Sequence, residues 1–411
     1  MILRSCRDAW RAMSGVSRFN ALPSSERSIV FYAEDAASWV HLGPIVTSLV
    51  EHHRKPVCYL TSSRTDPILQ SEPAGIRAIY VGAGAARTAL FLGLKAGMLV
   101  MTMPDLGTFH IKRSATSAVH YVYVFHSMVS THMIYRRGAF DQFDTVLCVG
   151  PHHAREIRAT EARDGLPAKN LVEHGYGRLD ALLEEVANNP APQGRTDAAR
   201  RVLVAPSWGN RGLLETCGTE LCALLRGAGY HVTVRPHPMS ERRCANAIAA
   251  LKRRFGDDPG FVLEGDVASS VSLHSADLMI SDWSGVALEY AFAREQPVLF
   301  IDVPRKVNNP DYGDVPCDPI EVTLREEIGE VVSPEHLGDV PKRLEVLWNR
   351  RAAMREHIRE VRARTVFNLG TSGTVGAAHI ARLAEQSRQA PDRKKRPRPK
   401  PIPNTCGNCL Q

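Results

Sequence analysis

Apolar runs of three to five residues recur along this chain, most of them followed by a longer stretch with helical spacing. This alternation restricts the fold more than any other feature. Runs this short, bounded by turn residues, read as strands buried on both faces of a parallel sheet. Strands that alternate with helices give such sheets with helices on their faces. A first series places strands at 28–32, 57–60, 78–81, 99–103, 120–124 and 145–149, with helices at 41–52, around 88–95 and from Pro151 onward. A second places strands at 201–205, 231–235, 261–263, 278–281 and 298–301, with helices at 213–226, 244–255, 286–294 and 340–364.

Between the two series lies ANNPAPQGRT, residues 187–196, which is polar, contains prolines and a glycine, and has no helical period. That is linker composition. A chain of 411 residues also exceeds what one hydrophobic core usually serves. The expected fold class is therefore α/β, with two Rossmann-type doubly wound domains and a ligand cleft between them at the carboxyl ends of the strands. The expected organisation is an N-terminal extension at 1–27, a Rossmann-like domain at 28–186, a linker at 187–200, a second Rossmann-like domain at 201–387 and a disordered basic tail at 388–411.

The net charge of +7 owes much to the run RKKRPRPK at 393–400, so the folded body is nearer neutral. Prolines in that run prevent a regular recognition helix, and we read it as a solvated tail, with no nucleic-acid partner. The nine cysteines show no framework of closely spaced pairs, which suits a reducing compartment. Cys406 and Cys409 form a C-x-x-C without two further ligands nearby, so no zinc site is expected. No stretch reaches the roughly 18–20 uninterrupted apolar residues that span a bilayer; the nearest, 88–103, is broken by Lys95. Residues 1–13 contain Arg4, Arg7, Asp8 and Arg11 and lack the apolar centre of a secretory signal. The expectation is a cytoplasmic protein, with peripheral contact at the inner face of the membrane left open.

Three strand ends carry the chemistry. Val232-Thr233-Val234 runs into Arg235-Pro236-His237-Pro238, an arginine and a histidine held by two prolines where doubly wound sheets present ligands. Arg235 offers a planar fork suited to phosphate. His237 is suited to donate to a leaving phosphate or exchange a proton, the alternative being a histidine that fills a turn. The second strand end is Ser281-Asp282-Trp283-Ser284-Gly285, leading into a helix. There, backbone N–H groups and hydroxyls gather at a helix start and Gly285 allows close approach of an anion; capping by Asp282 or Ser284 is also expected. Glu289, one turn further on, is placed to bind ribose hydroxyls or to stay solvated. The third is Tyr121-Val122-Tyr123-Val124-Phe125-His126-Ser127, followed by His132, Arg136 and Arg137. His126 is read as a base on an attacking hydroxyl or as a core histidine.

Other matches fail. Gly82-Ala83-Gly84-Ala85-Ala86-Arg87 ends in arginine where a dinucleotide loop packs its third glycine, and reads as a turn. Ala205-Pro206-Ser207-Trp208-Gly209 lacks the first glycine of a nucleophile elbow. The chain has no H-E-x-x-H, Walker loop or D-x-D pair, so no metal and no cofactor are indicated. Arginine, histidine and helix-end N–H groups would neutralise phosphates instead.

Together these residues resemble the CDP-glycerol glycerophosphotransferase family, which builds teichoic acids and related capsule polymers on a GT-B scaffold. Val202 to Trp208 is similar to that family's VLYAPTW strand. Arg235-Pro236-His237-Pro238 matches its R-x-H-P element, Ser281-Asp282-Trp283-Ser284 its S-D-x-S element, and His174 to Asp180 its GYPRLD turn. Phe125-His126 falls at its W-H-G. The resemblance implies an N-terminal acceptor domain and a C-terminal nucleotide-donor domain. It implies catalytic roles for His126 and His237, and donor binding by Arg235, Ser207, Ser281, Asp282, Ser284, Gly285 and Glu289. The implied partners are a CDP-alditol donor and a glycan or lipid-linked acceptor, with CMP released. The chain departs from the pattern at Ser127, where the family has glycine, and at Gly285, where it has a second serine; the lysine that follows W-H-G is absent, with Arg136 or Arg137 as substitutes. The rival readings are a GT-B enzyme acting on a UDP- or GDP-sugar, including a sugar-nucleotide epimerase, a non-catalytic glycan or lipid binder, and a nucleic-acid binder using the tail.

Overall fold

The computed structural model describes residues 2–71, 73–108, 111–189, 199–209, 211–237, 239–265 and 270–389. The expected basic tail from 390 onward, Cys406 and Cys409, Pro238, and most of the expected linker (190–198) lie outside them. The helices of eight residues or more are α1 (Ile2–Ala21), α2 (Trp39–Glu51), α3 (Ala85–Leu92), α4 (Pro151–Asp164), α5 (Gly177–Asn188), α6 (Gly218–Gly227), α7 (Ala245–Phe255), α8 (Gly285–Arg294), α9 (Val340–Thr365) and α10 (Ser372–Gln389).

The chain forms two compact units. The first contains a parallel sheet of β1 (Ile29–Ala33), β2 (Val57–Thr61), β3 (Ile76–Tyr80), β4 (Met98–Met101), β5 (His120–Val124), β6 (Thr145–Cys148) and β7 (Asn170–Glu173). Their order is β3-β2-β1-β4-β5-β6-β7. β1, β2, β4 and β6 are buried throughout, which is why each reads as an unbroken apolar run rather than an alternation. The second unit contains β8 (Arg201–Val204), β9 (His231–Val234), β10 (Phe261–Leu263), β11 (Leu278–Ser281), β12 (Val298–Ile301) and β13 (Gly329–Val332), in the order β10-β9-β8-β11-β12-β13. Both sheets reverse direction beside their first strand, between β1 and β4 and between β8 and β11. Doubly wound sheets bind ligands at such points, outside the carboxyl ends of the strands.

The division of the chain differs from the simple split at 187–200. The residues read as an N-terminal extension form α1, whose Ala12, Val16 and Phe19 are buried in the first unit. Gly15 lies so close to β3 that a Cβ there would stand 1.8 Å from the Tyr80 carbonyl oxygen. The last helix, α10, belongs to the first unit as well. Its Ala377, Ile380, Ala381 and Ala384 share a core with Leu42, Ile45, Val46 and Leu49 of α2. Conversely, residues 127–134 and nearly all of α5 belong to the second unit. The expected helix at 213–226 is interrupted at Cys217, which lies between the turn Leu213–Thr216 and α6.

Candidate active site

In the second unit, the loops after β8, β9, β11 and β12 emerge at one end of the sheet. Asp282 organises them. Its carboxylate is 1% exposed. Oδ1 accepts from the Ser207 N–H at 2.6 Å and the Trp283 N–H at 2.7 Å, and Oδ2 accepts from the Leu213 N–H at 3.2 Å. Asp282 thus serves as a brace, using its charge to bind the loop after β8 to the end of β11. Ser281 acts in the same way one layer below, its hydroxyl buried and donating to the Ala205 carbonyl at 2.7 Å.

Beyond Asp282 the chain enters α8. Ser284 holds the N-cap position in an extended conformation, and its side chain makes no cap hydrogen bond. The side-chain capping expected of Asp282 or Ser284 is therefore not formed, and the first-turn N–H groups of α8 are not taken up by it. Gly285 opens the helix against Ser127. A Cβ at 285 would stand 2.6 Å from Ser127 Oγ and 3.2 Å from Val129 Cγ1. The segment 127–134 is tied down in this unit, with the Ser130 N–H and hydroxyl donating to the two oxygens of Glu321 at 2.9 and 2.7 Å.

His237 stands half-buried after β9. Its Nδ1 accepts from the Met239 N–H at 3.1 Å, so the neutral ring carries its proton on Nε2. The ring centroid lies 6.0 Å from that of Trp208. Over the same indole, 4.2 Å from its centroid, is the ammonium of Lys306 from the loop after β12. Burial pushes the Lys306 pKa down to about 8, against the opposing pull of Asp282 and Glu321. The neighbouring indole, Trp283, is covered by the Arg325 guanidinium at 4.0 Å, and Arg325 is paired with Asp302 at 2.9 Å.

In the first unit, His126 lies two residues past the end of β5. Its Nδ1 lies 3.0 Å from the Thr102 carbonyl, which can only accept, and 3.3 Å from the Tyr123 hydroxyl. The proton is therefore on Nδ1, which leaves the ring's lone pair on Nε2. Crowding by the surrounding protein lowers the pKa, with the Thr102 bond and the charge of Asp35 opposing it. An edge open to solvent tempers that crowding. The Tyr176 hydroxyl donates to the His126 carbonyl at 3.0 Å, and the Tyr176 ring stacks on His41 with centroids 5.6 Å apart.

A family model for CDP-glycerol:poly(glycerophosphate) glycerophosphotransferase matches residues 94–305, just over half of the chain, and takes in both histidines and the Asp282 loop. The chain belongs to this family. It is accordingly a transferase, and its fold is of the GT-B type. Among solved structures, the wall teichoic acid polymerase TagF soaked with CDPG matches at 12% identity and a TM-score of 0.54, over 95% of this chain and 98% of that one. MnaA of S. aureus with UDP matches at 12% identity and a TM-score of 0.55, over 90% and 99%. The UDP-GlcNAc 2-epimerase of Methanocaldococcus jannaschii, in complex with UDP-GlcNAc and UDP, matches at 13% identity and a TM-score of 0.52, over 87% and 99%. No curated protein matches the sequence.

Within this family member, the structure gathers Ser207, His237, Asp282, Ser284 and Gly285 at one end of the second sheet. It sets three of the sequence-derived donor residues apart. Ser281 is engaged with Ala205, as described. Arg235 is buried, donating to Ser272 Oγ at 3.0 Å and lying 3.6 Å from the Glu264 carboxylate. Glu289 is neither solvated nor presented to solvent: it is buried and receives the Arg178 Nε–H at 2.9 Å. Arg178 comes from the GYGRLD turn, so this motif and the S-D-W-S helix meet in a structural ion pair. Of the two proposed substitutes for the family lysine, Arg137 pairs with Asp164 at 2.7 Å within the first unit. His132 Nε2 donates to the Cys317 carbonyl at 2.9 Å. Lys306, unlike Trp208 and Ser127, belongs to none of the motifs that the sequence offers. The one available signal was the basic pair Arg305-Lys306 just past the end of a buried strand.

Proposed function

We propose that this transferase moves glycerol phosphate, or a related alditol phosphate, from a CDP-activated donor to a hydroxyl of a glycan or lipid-linked acceptor. The observation that carries this reading is the opposite fixing of the two histidines. His126 presents a lone pair on Nε2 and is kept neutral by its surroundings, as a general base requires. His237 presents an N–H on Nε2, as a stabiliser of phosphate charge requires. The first turn of α8 adds backbone N–H groups and the favourable end of a helix dipole.

The acceptor oxygen attacks the phosphorus that bears the alditol, and its proton passes to His126 Nε2. The bond from that phosphorus to the bridging oxygen breaks, and CMP leaves with the oxygen and its electron pair. His237 and the α8 start stabilise the charge that develops on the phosphates. In this reading the first unit is the acceptor domain and the second the donor domain. The enzyme works in the cytoplasm and meets its acceptor at the inner face of the membrane. Among the described residues no helix is long and apolar enough to cross a membrane, and α1 exposes Trp10 (73%) and Met13 (50%) beside Arg7 and Arg11, a composition suited to a lipid surface.

The test is to incubate the purified chain separately with CDP-glycerol, CDP-ribitol and UDP-sugars, each with a polyol-phosphate or glycan acceptor, and to identify the nucleotide released. CMP together with a mass gain of one alditol phosphate on the acceptor is expected. UDP release would replace this reading with sugar transfer.

A further inference from the structure

We infer that Lys306 is the cation that meets the diphosphate of the nucleotide in the second unit, a part the sequence gives to Arg235. The inference rests on the donor site proposed above and adds a binding residue to it. Lys306 and His237 lie against the same indole, that of Trp208, with the ammonium 4.2 Å from its centroid and the imidazole centroid 6.0 Å from it. Both therefore stand at the strand ends where Asp282 holds the loops and α8 begins.

Asp282 and Glu321 attract the Lys306 ammonium from a distance, but neither forms an ion pair with it. Asp282, after β11, gives its oxygens to the N–H groups of Ser207, Trp283 and Leu213. Glu321, in the turn Ile320–Thr323, gives its oxygens to Ser130. Arg305 precedes Lys306 in the chain and leans on Trp283 at 5.8 Å, and Arg325, on the same ring, pairs with Asp302. Among the described residues no carboxylate lies within 4.0 Å of the Lys306 amine. A half-buried ammonium held by an aromatic face, with nearby carboxylates engaged elsewhere, is under-solvated. A dianionic diphosphate restores what burial removes. Arg235, by contrast, is already bonded to Ser272 and stands beside Glu264.

Protonation provides the test. Burial brings the Lys306 pKa to about 8, so the free protein loses this charge as pH rises through that value. Binding of CDP and of UDP to the wild type, Lys306→Arg and Lys306→Gln is measured by calorimetry from pH 6.5 to 9.5. The wild type is expected to weaken by up to about tenfold per pH unit above about pH 8, the slope for one proton that must be retained. Lys306→Arg, which stays charged, is expected to bind without that fall. Lys306→Gln is expected to bind about a hundredfold more weakly at pH 7 and to be insensitive to pH. Thermal unfolding of each variant confirms that it is folded. Preference for UDP with this same pattern overturns the cytidine reading and supports Lys306. The wild-type fall persisting in Lys306→Arg, or undiminished binding by Lys306→Gln, overturns Lys306 whichever base is preferred. Binding of neither nucleotide overturns both.

Discussion

At the scale of single residues, the proposed reaction gives different parts to two histidines with opposite tautomers. Each is set by one backbone group: the Thr102 carbonyl accepts from His126 Nδ1, and the Met239 N–H donates to His237 Nδ1. The consequence is a division of labour that substitution can expose. His237→Ala is expected to lower turnover of CDP-glycerol by at least about a hundredfold, the usual cost of a positioned charge stabiliser. His237→Gln, whose amide N–H can stand in for Nε2–H, is expected to retain more of the rate. His126 responds to pH instead. Its lowered pKa keeps the base neutral down into mildly acid solution, so the rate falls only as pH drops below the ordinary histidine range, near 6.5. His126→Ala removes that acid limb and leaves a slow rate independent of it. A steady-state pH profile of the three variants beside the wild type checks both statements, and an acid limb unchanged in His126→Ala would assign it to another group.

At the scale of elements, strands buried on both faces, such as β1, β2, β4 and β6, are legible because burial turns them into continuous apolar runs, and the partly buried edge strands β3 and β10 are legible from short apolar runs of their own. β7 and β13 escaped notice, and each is the edge of its sheet. Their half-exposed residues, such as Asn170 and Glu173 in β7 or Glu330 in β13, carry no such run. The same contrast applies to the site. Motifs at strand ends point to His126, His237 and the start of α8 as candidates, since a strand followed by unusual polar residues is visible in a single stretch of chain. What a side chain touches across the fold was not visible. Arg235 and Glu289 look like ligand residues until Glu264 and Arg178 are seen beside them. The departures at 127 and 285 likewise become one feature in space, because Ser127 fills the room that a side chain at 285 would need. Gly285→Ala is expected to push the 127–134 segment off the first turn of α8, lowering stability by about 1–3 kcal/mol as other overpacked sites do and weakening CDP binding. Adding Ser127→Gly should recover most of both losses. A double-mutant cycle by chemical denaturation and calorimetry measures the coupling, and strict additivity would show that the two positions do not interact.

For the molecule as a whole, the chain does not finish one unit before starting the other. It enters the second unit for residues 127–134, returns, enters again at Arg178 and comes back to the first unit at Thr371. Linker composition at 187–196 cannot disclose this, because the returning helix α10 is recognisable as part of the first unit only by the surface it covers. Ile380 and Ala377 are fully buried in the core that α2 presents. Pro44 of α2 is close enough to Gly373 that a Cβ there would meet its carbonyl oxygen at 2.9 Å. The first unit is therefore complete only when the end of the second has been made, and its stability should depend on residues more than three hundred positions away from its first strand. Ile380→Ala is expected to destabilise the first unit by about 2–5 kcal/mol, the cost of truncating a buried aliphatic side chain. A chain ended at Gly370 leaves Leu42, Ile45, Val46 and Leu49 facing water and is expected to aggregate. A chain ended at Gln389 keeps α10 and is expected to retain both its unfolding midpoint and its transferase rate. Hydrogen exchange followed by mass spectrometry locates the effect: in Ile380→Ala, β1 and β2 should lose protection while β8 and β11 keep theirs. Equal loss in both sheets would mean that the two units unfold as one.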